Sequence, residues 1–102
     1  MTDSPIVADA PDANRWEARL DGELAGIAQY VRTPGVITFI HTEVDPAFEG
    51  RGVGAALART SLDAARAEGL AVVPRCPFYA RWIARHPEYQ DLVREPTAEV
   101  GD

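Results

Sequence analysis

From Arg15 onward, apolar and polar positions fall into short, regular patterns. In RWEARL, Trp16, Ala18 and Leu20 interleave with Arg15, Glu17 and Arg19, as in a half-buried strand. Asp21-Gly22 is a dipeptide suited to a primed hairpin turn, and ELAGIAQYVR is the return strand. Thr33-Pro34-Gly35 marks a second turn. The run VITFIHTEV, Val36 to Val44, is β-branched and nearly all apolar, which predicts a central strand covered on both faces. Strict alternation puts His41 on the same face as Ile37, Phe39 and Glu43.

The period then changes. Val53 to Glu68 is rich in helix formers, with Val53, Leu57 and Ala64-Ala65 at helical spacing and Gly69 as the stop. LAVVP, Leu70 to Pro74, predicts a short buried strand. Pro77 suits the first turn of a second helix, with Phe78, Tyr79, Trp82, Ile83 and His86 on one face and Pro87 near its end. The order β-β-β-α-β-α predicts an α/β domain with a mixed sheet: an antiparallel meander followed by a crossover to a parallel strand. Residues 1–13 and 95–102 read as flexible acidic tails flanking one domain at 14–94.

Composition narrows the function classes. The chain has 102 residues, a net charge of −6, one cysteine and no lysine. All ten basic residues are arginines lying between Arg15 and Arg94. An acidic chain without a basic face is not expected to bind nucleic acid. No apolar run is long enough for a membrane span, and the N-terminus lacks the pattern of a signal peptide. A lone cysteine excludes an intrachain disulfide and fits a cytoplasmic protein. The arginine- and alanine-rich composition suggests a bacterial source. Two histidines and a cysteine at scattered spacing do not predict a metal site.

The stretch VDPAFEGRGVGAAL carries the chemistry. Gly50, Gly52 and Gly54 lie between a strand and a helix, where unpaired N–H groups and the helix dipole favour an anion. A Walker loop is excluded because no lysine follows the glycines. GRGVGA matches the dinucleotide fingerprint in spacing, but DPAFE separates it from the strand and no acid ends the next strand. An acyl-CoA pyrophosphate site is the third reading; a glycine-rich turn that merely packs helix on strand is the bland one.

The stretch resembles motif A of the GNAT superfamily of acetyl-CoA-dependent N-acetyltransferases. Downstream, PRCPFYARWIARHPEYQDLV resembles a small, single-domain GNAT-like family, and the likeness runs from about Arg15 to Val93. It implies a minimal GNAT-like fold without the usual N-terminal helices. It also implies acetyl-CoA as co-substrate, with pyrophosphate on the backbone amides of Gly50, Arg51, Gly52, Val53, Gly54 and Ala55. The pantetheine arm would follow Thr42, Glu43 and Val44 through an opening between the strands ending at Val44 and Pro74. Glu49 departs from the Gln or Arg usual in the superfamily, and Arg51 would compensate its charge.

Cys76 precedes Pro77 near a helix start, beside Arg75, where dipole and guanidinium favour thiolate. The resemblance places it near the thioester, as a nucleophile or as proton donor to the departing thiol; the alternative is a small buried hydrophobe. His41 is the candidate base, for the incoming amine or for Cys76. His86 reads as a helix C-cap and Tyr79 as core, although many GNAT enzymes use a tyrosine there as acid. The expected activity is N-acetyl transfer to an amine of a small molecule or peptide; the alternative is a non-catalytic CoA-binding module. Monomer or weak homodimer is expected, with Trp16 and Tyr30 as candidate contact residues.

Overall fold

A computed structural model describes residues 4–94. Five strands form one sheet in the order β1 (Ile6–Ala10), β2 (Arg15–Leu20), β3 (Glu23–Thr33), β4 (Val36–Val44) and β5 (Ala71–Pro74). The first four pair antiparallel, and β5 joins β4 in parallel. Helix α1 (Val53–Ala67) connects β4 to β5, and α2 (Pro77–Ala84) follows β5. Asp21 and Gly22 both have positive φ, 52° and 82°, as a primed two-residue turn requires. The expected mixed α/β architecture is therefore present, with one strand more than the pattern predicted.

That extra strand corrects the reading of residues 1–13 as a tail. Ile6–Ala10 pairs with β2 in continuous register from Ile6↔Arg19 to Ala10↔Arg15. Asp9 anchors it, accepting a hydrogen bond of 2.6 Å from the Tyr30 hydroxyl, while Val7 packs against the core. Pairing by backbone needs little from the side chains, so the Ala- and Asp-rich composition concealed it. The proposed C-terminal tail, 95–102, lies outside the described residues.

The core lies between one face of the sheet and the helices. Trp16, Ala18, Leu20, Ala28, Tyr30, Ile37 and Phe39 meet Val53, Leu57, Ala58, Leu62 and Ala65 of α1. Trp16 and Tyr30 are thus buried rather than available for a partner, which corrects their reading as contact residues. Phe39 stacks on Tyr79 of α2 with ring centroids 4.1 Å apart. The segment after α2 is drawn onto α1 by the Tyr89 hydroxyl donating to Asp63 (2.7 Å) and by Arg66 pairing with Asp91 (2.9 Å). His86 donates from Nδ1 to the Trp82 carbonyl at 2.7 Å and stacks on that indole, in keeping with a capping role.

Among the described residues no helix covers the opposite face of the sheet. Ile40 and Val31 are close to half exposed there, so β4 is not shielded on both sides as its apolar sequence predicted. A central position in the sheet requires only that both edges be paired, and β3 and β5 supply that.

Candidate functional site

The site begins where β4 and β5 part. Their pairing runs from Val36↔Ala71 to Phe39↔Pro74, and the Cys76 amide donates to the Phe39 carbonyl at 2.9 Å. Beyond that bond β4 continues for five residues, paired with β3 alone. β5 itself ends at Pro74, and the chain turns into α2 at Pro77. In the β3–β4 ladder at the same level, Gln29 faces His41 but Tyr30 faces Phe39, so Ile40 is a surplus residue in β4, a β-bulge. A bulge bends its strand and breaks the regular in–out alternation of its side chains.

This bulge also decides which side chains meet. Phe39 is buried, Ile40 and His41 both face outward, and Thr42 turns inward. His41 is therefore on the open face, its Nε2 3.0 Å from Glu43 Oε2. The expectation that His41 shares the face of Ile37 and Phe39 fails for that reason, and the structure does not bring its ring to Cys76 as a hydrogen-bonded pair. Thr42 takes that place. Its Oγ1 lies 3.2 Å from Cys76 Sγ, a contact that alternation alone could not reveal. Cys76 is 3% exposed and is the residue immediately before α2.

The glycine stretch forms the other end of the site. Asp45 opens it by accepting the Ala47 amide at 2.9 Å, capping a 3₁₀ turn over Pro46–Phe48. Gly50 and Gly52 then adopt φ of +81° and +80°, and a Cβ on either would meet nothing within 4 Å. Their conformation, rather than crowding, calls for glycine. The first α1 ladder bond runs from the Ala56 amide to the Gly52 carbonyl. The amides of Val53, Gly54 and Ala55 precede it and have no acceptor within the helix. At Gly54 crowding is what matters, because a Cβ there would come 2.9 Å from Phe78 Cζ. Glu49 and Arg51 are exposed.

These features fit an acyl-CoA. An open N-terminal turn of amides suits a pyrophosphate, and an unpaired strand edge suits an amide-bearing arm. Tyr79 does not face this opening. It is fully buried, with its hydroxyl 2.8 Å from Ser61 Oγ and donating to the Leu57 carbonyl. Burial pushes its phenol well above the usual tyrosine range, partly opposed by the Ser61 bond. The core reading of Tyr79 stands. Among the described residues no group of three or more His, Cys, Asp or Glu could hold a metal ion. No helix among them is long and apolar enough to cross a membrane.

Comparison with known proteins agrees with this architecture. A sequence model of the GCN5-related N-acetyl-transferase family matches residues 15–92. The chain belongs to that family, a family of acyltransferases. The fold resembles the solution structure of a GCN5-like protein from Staphylococcus aureus, with a TM-score of 0.69 over 93% of this chain and 92% of that one, at 21% identity. No curated protein matches the sequence significantly.

Proposed function

We propose that the protein transfers an acetyl group from acetyl-CoA to an amine. The observation that carries this reading is the alignment of two openings along one strand: the β4–β5 seam at Thr42 and Cys76, and the α1 amides that follow β4. Gly50 to Ala55 would hold the pyrophosphate through backbone N–H groups, with Arg51 adding a positive charge. Thr42, Glu43 and Val44 would offer backbone partners to the pantetheine arm. When bound, acetyl-CoA supplies the reactive thioester.

The chain's own residues then divide the proton work. One proton must leave the amine nitrogen and one must reach the sulfur of the departing thiol. His41 is half exposed on the open face and is oriented by Glu43, which suits a base for an amine arriving from solvent. Cys76 is buried at the seam with its thiol held by Thr42, which suits the donor to the leaving sulfur. Proton donation asks less of a thiol with 3% exposure than attack as a nucleophile on a second carbonyl.

The test is a calorimetric titration with acetyl-CoA, using NADPH as control, followed by thiol-release assays with amines. Saturable binding of acetyl-CoA alone, then amine-dependent release, supports the enzyme. Binding without release under any amine would instead indicate a CoA-binding module, and no binding would sink both readings.

A further inference from the structure

The two edges of the sheet are finished differently. On the β5 side the chain returns after α2 and closes the edge: Val93 bridges Val72, and the Arg94 amide donates to the Val72 carbonyl at 2.7 Å. Pro74, which has no N–H to offer, ends that strand. The other edge is β1, whose only neighbour among the described residues is β2.

The direction of the β1 backbone groups follows from a bond further in. The Tyr30 amide of β3 donates to the Asn14 carbonyl at 3.0 Å. In an antiparallel ladder that direction alternates residue by residue. Trp16 and Ala18 therefore turn their backbone groups to β3, while Arg15, Glu17 and Arg19 turn theirs to β1, where they stand opposite Ala10, Ala8 and Ile6. The N–H and C=O groups of Val7 and Asp9 consequently point away from the sheet.

Nothing in β1 blunts that row. The strand has no proline, lysine or bulge, the devices that usually keep edges apart. The Asp9 carboxylate is turned inward to Tyr30 and Arg32, so its charge does not guard the edge. Ile6, at 74% the most exposed large apolar side chain among the described residues, lies at one end.

We infer that β1 is a self-association edge whose occupant is β1 of a second copy, antiparallel about a two-fold axis at Ala8. Val7 of each copy exchanges both backbone bonds with Asp9 of the other. Ala8 meets its own copy at a non-hydrogen-bonded position, where side chains come closest and a methyl group fits. Ile6 is covered opposite Ala10 of the second copy, and no like charges face each other across the axis. A strand of five residues buries less than the ~800 Å² per partner of a standard interface, so the dimer is weak and grows with concentration. The seam at Thr42 and Cys76 lies towards the opposite edge and stays open in both copies. The inference therefore stands apart from the transfer chemistry.

Sedimentation equilibrium on the whole chain, from about 10 μM to about 1 mM, should show the average mass rising from monomer towards dimer. Ala8→Lys and Ala8→Glu should each weaken association about tenfold or more, because like charges then meet on the axis. An equimolar mixture of the two should associate again, a rescue that misfolding cannot produce. Val7→Pro removes an outward N–H while leaving the β2 ladder whole, and should give a monomer with a cooperative melt. In NMR of the parent, amide shifts that grow with concentration should fall on Val7 to Asp9. A monomer throughout the range, association that neither charge weakens, a mixture that stays monomeric, or shifts confined to β5 would overturn the inference.

Discussion

Thr42 Oγ1 stands 3.2 Å from Cys76 Sγ, joining β4 to the start of α2 across the point where the sheet opens. If Cys76 delivers the proton to the departing thiol, Cys76→Ala should lower turnover by about 10²–10⁴-fold, the usual range for a lost general acid. Acetyl-CoA affinity should stay within about threefold, because the pyrophosphate contacts lie elsewhere. Thr42→Val should cost about tenfold in turnover and Thr42→Ser should restore it, through the hydroxyl alone. Thiol-release kinetics with paired calorimetry check both; a Cys76→Ala protein with full activity would remove the thiol from the mechanism.

Two glycines separate backbone strain from function. Gly22, in the β2–β3 hairpin, and Gly52, before α1, have φ of +82° and +80° and open space where a Cβ would sit. Alanine at either should cost a similar ~1–2 kcal/mol of stability through the left-handed conformation. Only Gly52→Ala should also weaken acetyl-CoA binding, by about tenfold, as the α1 amides are re-aimed. Equal losses of affinity in the two variants would mean that the glycine stretch is not the pyrophosphate site.

Tyr79→Phe should weaken the fold and spare the chemistry. Removing the hydroxyl breaks the bonds to Ser61 and the Leu57 carbonyl, at a cost of about 1 kcal/mol, or roughly 4–8 °C in Tm for a domain of this size. Turnover should be retained. The pH dependence has a definite sign. Burial raises the folded-state pKa above its ordinary value of 10.0. The contribution to stability is thus whole below that value and is lost as the pH climbs through the folded-state value. Thermal melts from neutral to alkaline pH should show this limb in the parent and a shallower one in the variant.

Gly26 predicts a packing limit. A Cβ there would lie 2.8 Å from Val53 Cγ1 and 2.9 Å from the Glu43 carbonyl oxygen. The first contact can relax by a rotamer change, the second only by moving β4. Gly26→Ala should therefore destabilise by about 1–3 kcal/mol, read as a fall in Tm. An unchanged melting temperature would show that the helix can lift from the strand at no cost.

The elements that announced themselves in the sequence did so through periodicity or turn chemistry. The alternation in RWEARL, the Asp21-Gly22 turn, the α1 face from Val53 and the Pro77 start of α2 all appear as read. Three features escaped. The strand Ile6–Ala10 has few large apolar residues, since its partner is the backbone of β2 and its anchor is one carboxylate, Asp9. Gly26 looked like an ordinary strand residue because its constraint comes from Val53, far along the chain. The facing of His41 and Thr42 was lost because a β-branched run gives no sign of which residue the sheet will leave over. Parity fails after Phe39, and the site chemistry is all downstream of it.

Ile40 is that leftover. It holds no proton and touches no proposed ligand, yet the Thr42–Cys76 contact depends on it. Had β4 kept strict alternation past Phe39, Thr42 would face outward and the thiol would lose its hydroxyl neighbour. One surplus residue thus works as a half-turn of the strand, exchanging which side chains the sheet shows to solvent and which it keeps for the seam.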